Sequence, residues 1–140
     1  MDAMEKKVRA SFGRQHLMST LGAEMTSVQP GAVEILCGFD QKLTQQNGFM
    51  HAGVITSILD SACGYAALSV APEECEVLSV EFKVNLLAPA VGEAFVARAS
   101  VKRAGKMLTI CTADCFAVTG GEERVVATML ATMMNMPRKS

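Results

Sequence analysis

One carboxylate stands where its neighbours give it no company. From His51 to Val70 the chain reads HAGVITSILDSACGYAALSV, small or apolar almost throughout except at Asp60. Aspartate is a poor helix former, and a buried charge is costly unless it is paired. Either Asp60 faces solvent or a neighbouring cation, or its carboxylate is kept from water so that it becomes a stronger base. Gly53, Thr56 or Ser57, Asp60 and Gly64 recur at intervals of three or four, so on a helix they share one stripe of small and polar side chains. Such a stripe leaves room for a ligand or for close packing against another helix or a sheet. Where the segment begins, the backbone N–H groups of Ala52 and Gly53 lack intrahelical acceptors and lie at the positive end of the dipole, a place that can hold a developing oxyanion. His51, just before them, is either a capping residue or a catalyst.

These residues need elements to hold them. His51 to Val70 is long enough for five helical turns and is stopped by Pro72; a helix apolar on nearly every side belongs inside a fold. Met4, Val8 and Phe12 are spaced as the apolar stripe of a short helix over Asp2–Phe12. Leu21–Val28 and Ala32–Phe39 read as two strands joined by a turn at Pro30-Gly31. Val77–Leu87 alternates, with Leu78, Val80, Phe82, Val84 and Leu86 on one face and Ser79, Glu81, Lys83 and Asn85 on the other. Strands over Glu93–Arg103, Lys106–Val118 and Arg124–Met134 follow, with Pro137–Ser140 expected as a loose tail. One buried helix interrupting an antiparallel sheet requires the sheet to curl around it, an α+β arrangement of the hotdog type within a single domain over residues 1–140.

Half of the 140 residues are hydrophobic and 19% are charged, a composition that leaves apolar surface to be covered by another subunit and so predicts a homo-oligomer. A formal net charge of -1 gives no electrostatic case for nucleic acid or an anionic membrane as a partner. The amino terminus has no apolar signal core and no run of eighteen apolar residues occurs, so a cytoplasmic protein is expected. Cys37, Cys63, Cys75, Cys111 and Cys115 show no CxxC spacing and do not cluster with histidine, so reduced thiols are expected, and no metal or cofactor. Cys63 has no adjacent base that would make it a nucleophile.

Gln45, Gly48, His51, Ala52 and Gly53, with Asp60 nine residues after the histidine, form a Q-x-x-G-x-x-H-A-G motif that resembles the hotdog thioesterases of the phenylacetic-acid-degradation (PaaI-like) type. The family usually carries Asn where Gln45 stands and Gly where Ala52 stands; a side-chain amide and a backbone N–H are kept at both. The resemblance runs over nearly the whole chain, including VEFKVNLLAPAVG after the helix. It implies an acyl-CoA thioesterase working as a dimer, or a tetramer built from dimers, with each site formed between subunits. Asp60 would be general base or nucleophile, Gly53 N–H the oxyanion donor, His51 the residue that positions the loop, and Gln45 the group that orients water or the carboxylate. Ser79 aligns with a serine or threonine often found near the catalytic acid, and Gly48, Ala52, Thr56 and Ser57 would line the substrate site. Arg103 and Lys106, flanking the Ala104-Gly105 turn, could meet the CoA phosphates or be solvated turn charges. Two other readings keep the ligand class: a hotdog dehydratase or hydratase, in which acid and histidine are differently arranged, and a non-catalytic acyl-CoA binder.

Overall fold

The first helix, α1 (Ala3–Arg14), opens on Asp2, whose carboxylate accepts the Glu5 N–H at 2.8 Å. Its expected stripe is real: Val8 is fully buried, and Met4 and Phe12 pack against the core beside it. A second helix, α2 (His16–Leu21), fills a stretch for which the sequence predicts no element and takes Leu21 from the expected strand Leu21–Val28; Gly22, at φ 70°, ends it in the left-handed conformation that glycine adopts without steric cost. The computed structural model describes residues 1–138, and Lys139 and Ser140 lie outside the described residues.

Six strands follow: β1 (Ala23–Gln29), β2 (Ala32–Gly38), β3 (Cys75–Leu86), β4 (Ala94–Ala104), β5 (Leu108–Thr119) and β6 (Glu122–Pro137). They make one antiparallel sheet in the order β1-β2-β4-β5-β6-β3. Between β2 and β3 the chain runs through a 3-10 turn (Gln41–Leu43), the loop Gln45–Met50 and the long helix α3 (Ala52–Val70). Every strand packs on α3, which is the filling of a hotdog fold. Ile55, Ile58 and Leu59 on the helix meet Ile35, Phe95, Met129 and Met133 on the sheet, all at 2% exposure or less. Removing one such side chain from water contributes about 1.5–3 kcal/mol. By length and composition α3 could cross a membrane, yet here it is the helix the sheet wraps.

Two expectations change. Pro137 belongs to β6, and Arg138 donates its backbone N–H to Glu74 O and pairs with Glu76 at 2.8 Å, so the described end of the chain is tied down. In β3 the alternation is broken by a bulge between Ser79 and Glu81. Val77 and Ser79 lie opposite the inward Asn135 and Met133, while past the bulge Phe82, Val84 and Leu86 lie opposite the inward Ala131, Met129 and Ala127. The extra residue reverses the parity of the strand, which carries Ser79 to the helix side and away from the face of Glu81, Lys83 and Asn85 that strict alternation gives it.

Candidate active site

The start of α3 is built by a cap. His51, in extended conformation, accepts the Gly53 N–H on Nδ1 at 2.7 Å, which places the ring proton of the neutral imidazole on Nε2. A side chain at Gly53 would bring its Cβ to 3.0 Å from that nitrogen, so glycine is what lets the ring close over the helix end. The Gly53 N–H, expected as the oxyanion donor, is therefore already engaged. The Ala52 N–H, the first of the helix, has no hydrogen-bond partner among the described residues. It is the open donor at the positive end of α3.

The loop ahead of the helix is held by its own backbone. Gln45 N–H donates to Phe49 O at 2.8 Å, Gly48 N–H to Gln45 O at 3.1 Å, and His51 N–H to Leu43 O at 2.9 Å. Gly48 has φ 84°, so its place in the motif is conformational. The Gln45 side chain accepts through Oε1 from Asn47 N–H (2.6 Å) and Phe49 N–H (3.1 Å). Two such donors fix the amide orientation and leave Nε2 without an acceptor among the described residues. Gln45 and Ala52 share a cavity of about 360 Å³ with Met50, Ile55, Leu86 and Ala90.

Asp60 lies on the stripe that the sequence predicts. Gly53 is exposed and Thr56, Ser57, Asp60, Ser61 and Gly64 are half-buried, while the other faces of α3 are packed on the sheet. Ser57 Oγ donates to Gly53 O at 2.7 Å and stays within the helix. Ser79 Oγ donates to Asp60 Oδ1 at 2.7 Å and also lies 3.4 Å from Met133 Sδ, so the β3 bulge is what places a hydroxyl on the carboxylate. The carboxylate opens into a second cavity of about 280 Å³. A single chain leaves it half-buried, so the enclosure that a desolvated base needs is incomplete without further cover.

The chain brings its site residues together in two groups. Gln45, Gly48, His51, Ala52 and Gly53 gather at the start of α3; Asp60 and Ser79 gather two turns further on. Eight residues separate Ala52 from Asp60, about 12 Å at the helical rise. No single acyl carbon can touch both within one chain. Arg103 and Lys106 are exposed at the β4-β5 hairpin and line neither cavity. All five cysteines are buried and unpaired, and burial pushes the thiols of Cys111 and Cys115 up to about 11 and about 12 and raises that of Cys63 as well, which removes Cys63 as a nucleophile. Among the described residues no group of three or more His, Cys, Asp or Glu side chains could hold a metal ion. Sequence reasoning passed over one wall of the Asp60 cavity, formed by Ser11, Gln15, Ser61 and Tyr65; its only sign in the sequence is that the chain's single tyrosine sits in a helix of small residues.

Comparison with known proteins gives this geometry a family. The model of the Thioesterase superfamily matches residues 47–124, more than half of the chain, spanning Gly48, His51, Asp60 and Ser79. The chain belongs to the thioesterase superfamily. This thioesterase is accordingly a thioester hydrolase. It is 52% identical to a thioesterase family protein of Silicibacter pomeroyi, with a TM-score of 0.95 over 97% of this chain and 100% of that one. The PaaI protein from the phenylacetic acid degradation operon of E. coli shares the fold at a TM-score of 0.85 and 17% identity, over 95% of this chain and 93% of that one. A thioesterase of Haemophilus influenzae does so at 0.84 and 18%, over 98% and 92%. The expected hotdog architecture and membership of a thioesterase family both hold, and the PaaI protein shares the fold.

Proposed function

We propose that this thioesterase hydrolyses acyl-CoA in the cytosol, as a dimer whose sites each take Asp60 and Ser79 from one subunit and Gln45, His51 and Ala52 from the other. The observation that carries the reading is the separation just described: a carboxylate with its hydroxyl and an open N–H with a free amide, about 12 Å apart along one half-buried helix stripe. Two such stripes side by side and antiparallel, with the two-fold at Thr56, set Ala52 at the helix start of one copy against Asp60 of the other. Small residues at Gly53, Ser57 and Gly64 allow that approach. The edge strand β3 supports the pairing, because it exposes Leu78, Val80, Phe82 and Leu86 beside an unpaired backbone edge. The exposed Leu108 and Leu130 on the neighbouring strands leave apolar surface for a dimer of dimers.

In the reaction the thioester oxygen accepts from Ala52 N–H, with Gln45 Nε2 as the second donor. Gly53 N–H holds His51, and His51 holds the loop. Asp60, oriented by Ser79, takes a proton from a water that attacks the carbonyl carbon; the tetrahedral intermediate collapses, the C–S bond breaks, and the CoA thiolate leaves with a proton from solvent or from Asp60. A general base suits a carboxylate already hydrogen-bonded on one oxygen and open on the other. Thr56 and Ser57 lie beside the acyl carbon, and Gly48 shapes the loop. Arg103 and Lys106 serve the CoA phosphates only if another subunit brings the β4-β5 hairpin to a site. Reduced, buried cysteines fit a reducing compartment.

The test is release of free thiol from a panel of acyl-CoA esters. Asp60→Asn is expected to lower the rate by about a hundredfold to ten-thousandfold with the dimer intact. An enoyl product from a β-hydroxyacyl-CoA without thiol would establish the dehydratase reading, and tight association without turnover the binder.

A further inference from the structure

The Asp60 cavity is polar where an acyl pocket for plain hydrocarbon would be greasy. Its wall opposite β3 is one hydrogen-bonded chain: Ser61 Oγ donates to Gln15 Oε1 (3.1 Å), Gln15 Nε2 donates to Tyr65 Oη (3.0 Å), and Ser11 Oγ donates to the same hydroxyl (3.3 Å). Tyr65 thus accepts twice, and its own O–H proton has no acceptor among the described residues; nor has the second Nε2 proton of Gln15. The ring is 8% exposed and packed edge-on against Phe12 at 5.8 Å, so the hydroxyl is held in place. Two donors are left over at the cavity, and a ligand there must accept.

That ligand is neutral. Asp60 and Glu76 line the cavity and, among the described residues, no cation does; Glu76 is paired with Arg138 outside it. A phosphate or carboxylate would be repelled, which sets this cavity against the CoA nucleotide. Tyr65 is five residues beyond Asp60, about 7.5 Å along the axis. A cavity of about 150 Å³ holds a benzene ring, so one of about 280 Å³ takes an acyl group of several carbons with a substituent.

On the reading that Asp60 is the base for acyl-CoA hydrolysis, we propose that Tyr65 and Gln15 form a specificity subsite for an acyl group bearing a neutral oxygen, a hydroxyl or carbonyl, several carbons from the thioester. The pantetheine arm then leaves by the cavity at Gln45 and Met50 of the neighbouring subunit. A hydroxyl in reach satisfies Tyr65 and Gln15; a methyl in its place leaves both donors dry and unpaired.

The test compares ω-hydroxyhexanoyl-CoA with heptanoyl-CoA, which differ by hydroxyl against methyl, as the ratio of their kcat/KM values in the parent, Tyr65→Phe and Gln15→Leu enzymes. The expected parent ratio is about tenfold in favour of the hydroxyl, falling to near one in both variants. Phe keeps the packing on Phe12, and thermal melts confirm folding. A parent ratio near one, with both esters hydrolysed, overturns the subsite and leaves acyl-CoA hydrolysis standing. Variants that slow both esters equally also overturn it, because they place the common pantetheine arm in the cavity. Absence of thiol release from either ester overturns this proposal together with the one it rests on.

Discussion

Ala52 offers a substitution that removes one proton from the site and little else. As the first residue of α3 its N–H makes no helical bond, so proline there costs no backbone hydrogen bond and suits the helix start. His51 is at φ -62° and ψ 138°, the extended region that a residue before proline prefers. Ala52→Pro should therefore fold with a melting temperature close to the parent's. If Ala52 N–H is the oxyanion donor, its loss lowers kcat by about a hundredfold to a thousandfold, or about 3 to 4 kcal/mol, with KM little changed, because the bond matters most once the oxygen carries charge. The assay is thiol release under saturating acyl-CoA, with Ala52→Ser as the control that keeps the N–H. A folded Ala52→Pro enzyme with kcat within a factor of about three of the parent would refute the assignment and return the role to Gly53.

Gly48→Ala places a side chain at φ 84° where no atom lies within 4 Å, so its cost is conformational alone, about 1 kcal/mol or somewhat more. Activity should fall further than stability, since the loop also sets Gln45, and Gly48→Asn should recover part of both; equal activity at reduced stability, read by melts beside kinetics, would separate the loop from the site. Arg98 bonds Glu34 (2.6 Å) and both oxygens of Glu123 across the outer face and stacks on Phe116 at 4.9 Å. The guanidinium holds both carboxyls below their ordinary range. Depressed folded values contribute stability that is present above the unfolded carboxylate pKa of about 4 and is lost as pH falls through the folded values. Arg98→Leu should therefore melt below the parent near neutral pH, with the gap narrowing in acid; a gap that widens in acid would contradict the sign.

Much of this was legible in the sequence, and the exceptions have physical causes. The bounds of α3 followed from Pro72 and the run of small residues, and the strand order in the chain from period-two alternation broken at turns. α2 was lost because Leu17, Met18 and Leu21 abut β1 with only Gly22 to mark the end. The β3 bulge was invisible because alternation persists in the residue types while the pairing slips beneath it, and that slip turns Ser79 inward. The His51 cap took Gly53 N–H out of play, a hydrogen bond that no spacing encodes. Gln15 and Tyr65 meet across fifty residues of chain, and such contacts exist only in the fold.

The sharing of each site between subunits is tested most directly by mixing two defective chains, Asp60→Asn and Ala52→Pro, each nearly inactive alone. In a shared site the mixed dimer has one site with both groups intact and one with neither, so random exchange should restore about a quarter of the parental activity. If each site lies within one chain, no mixture of the two can restore any, and a mixed dimer shown to form without regaining activity would contradict the account.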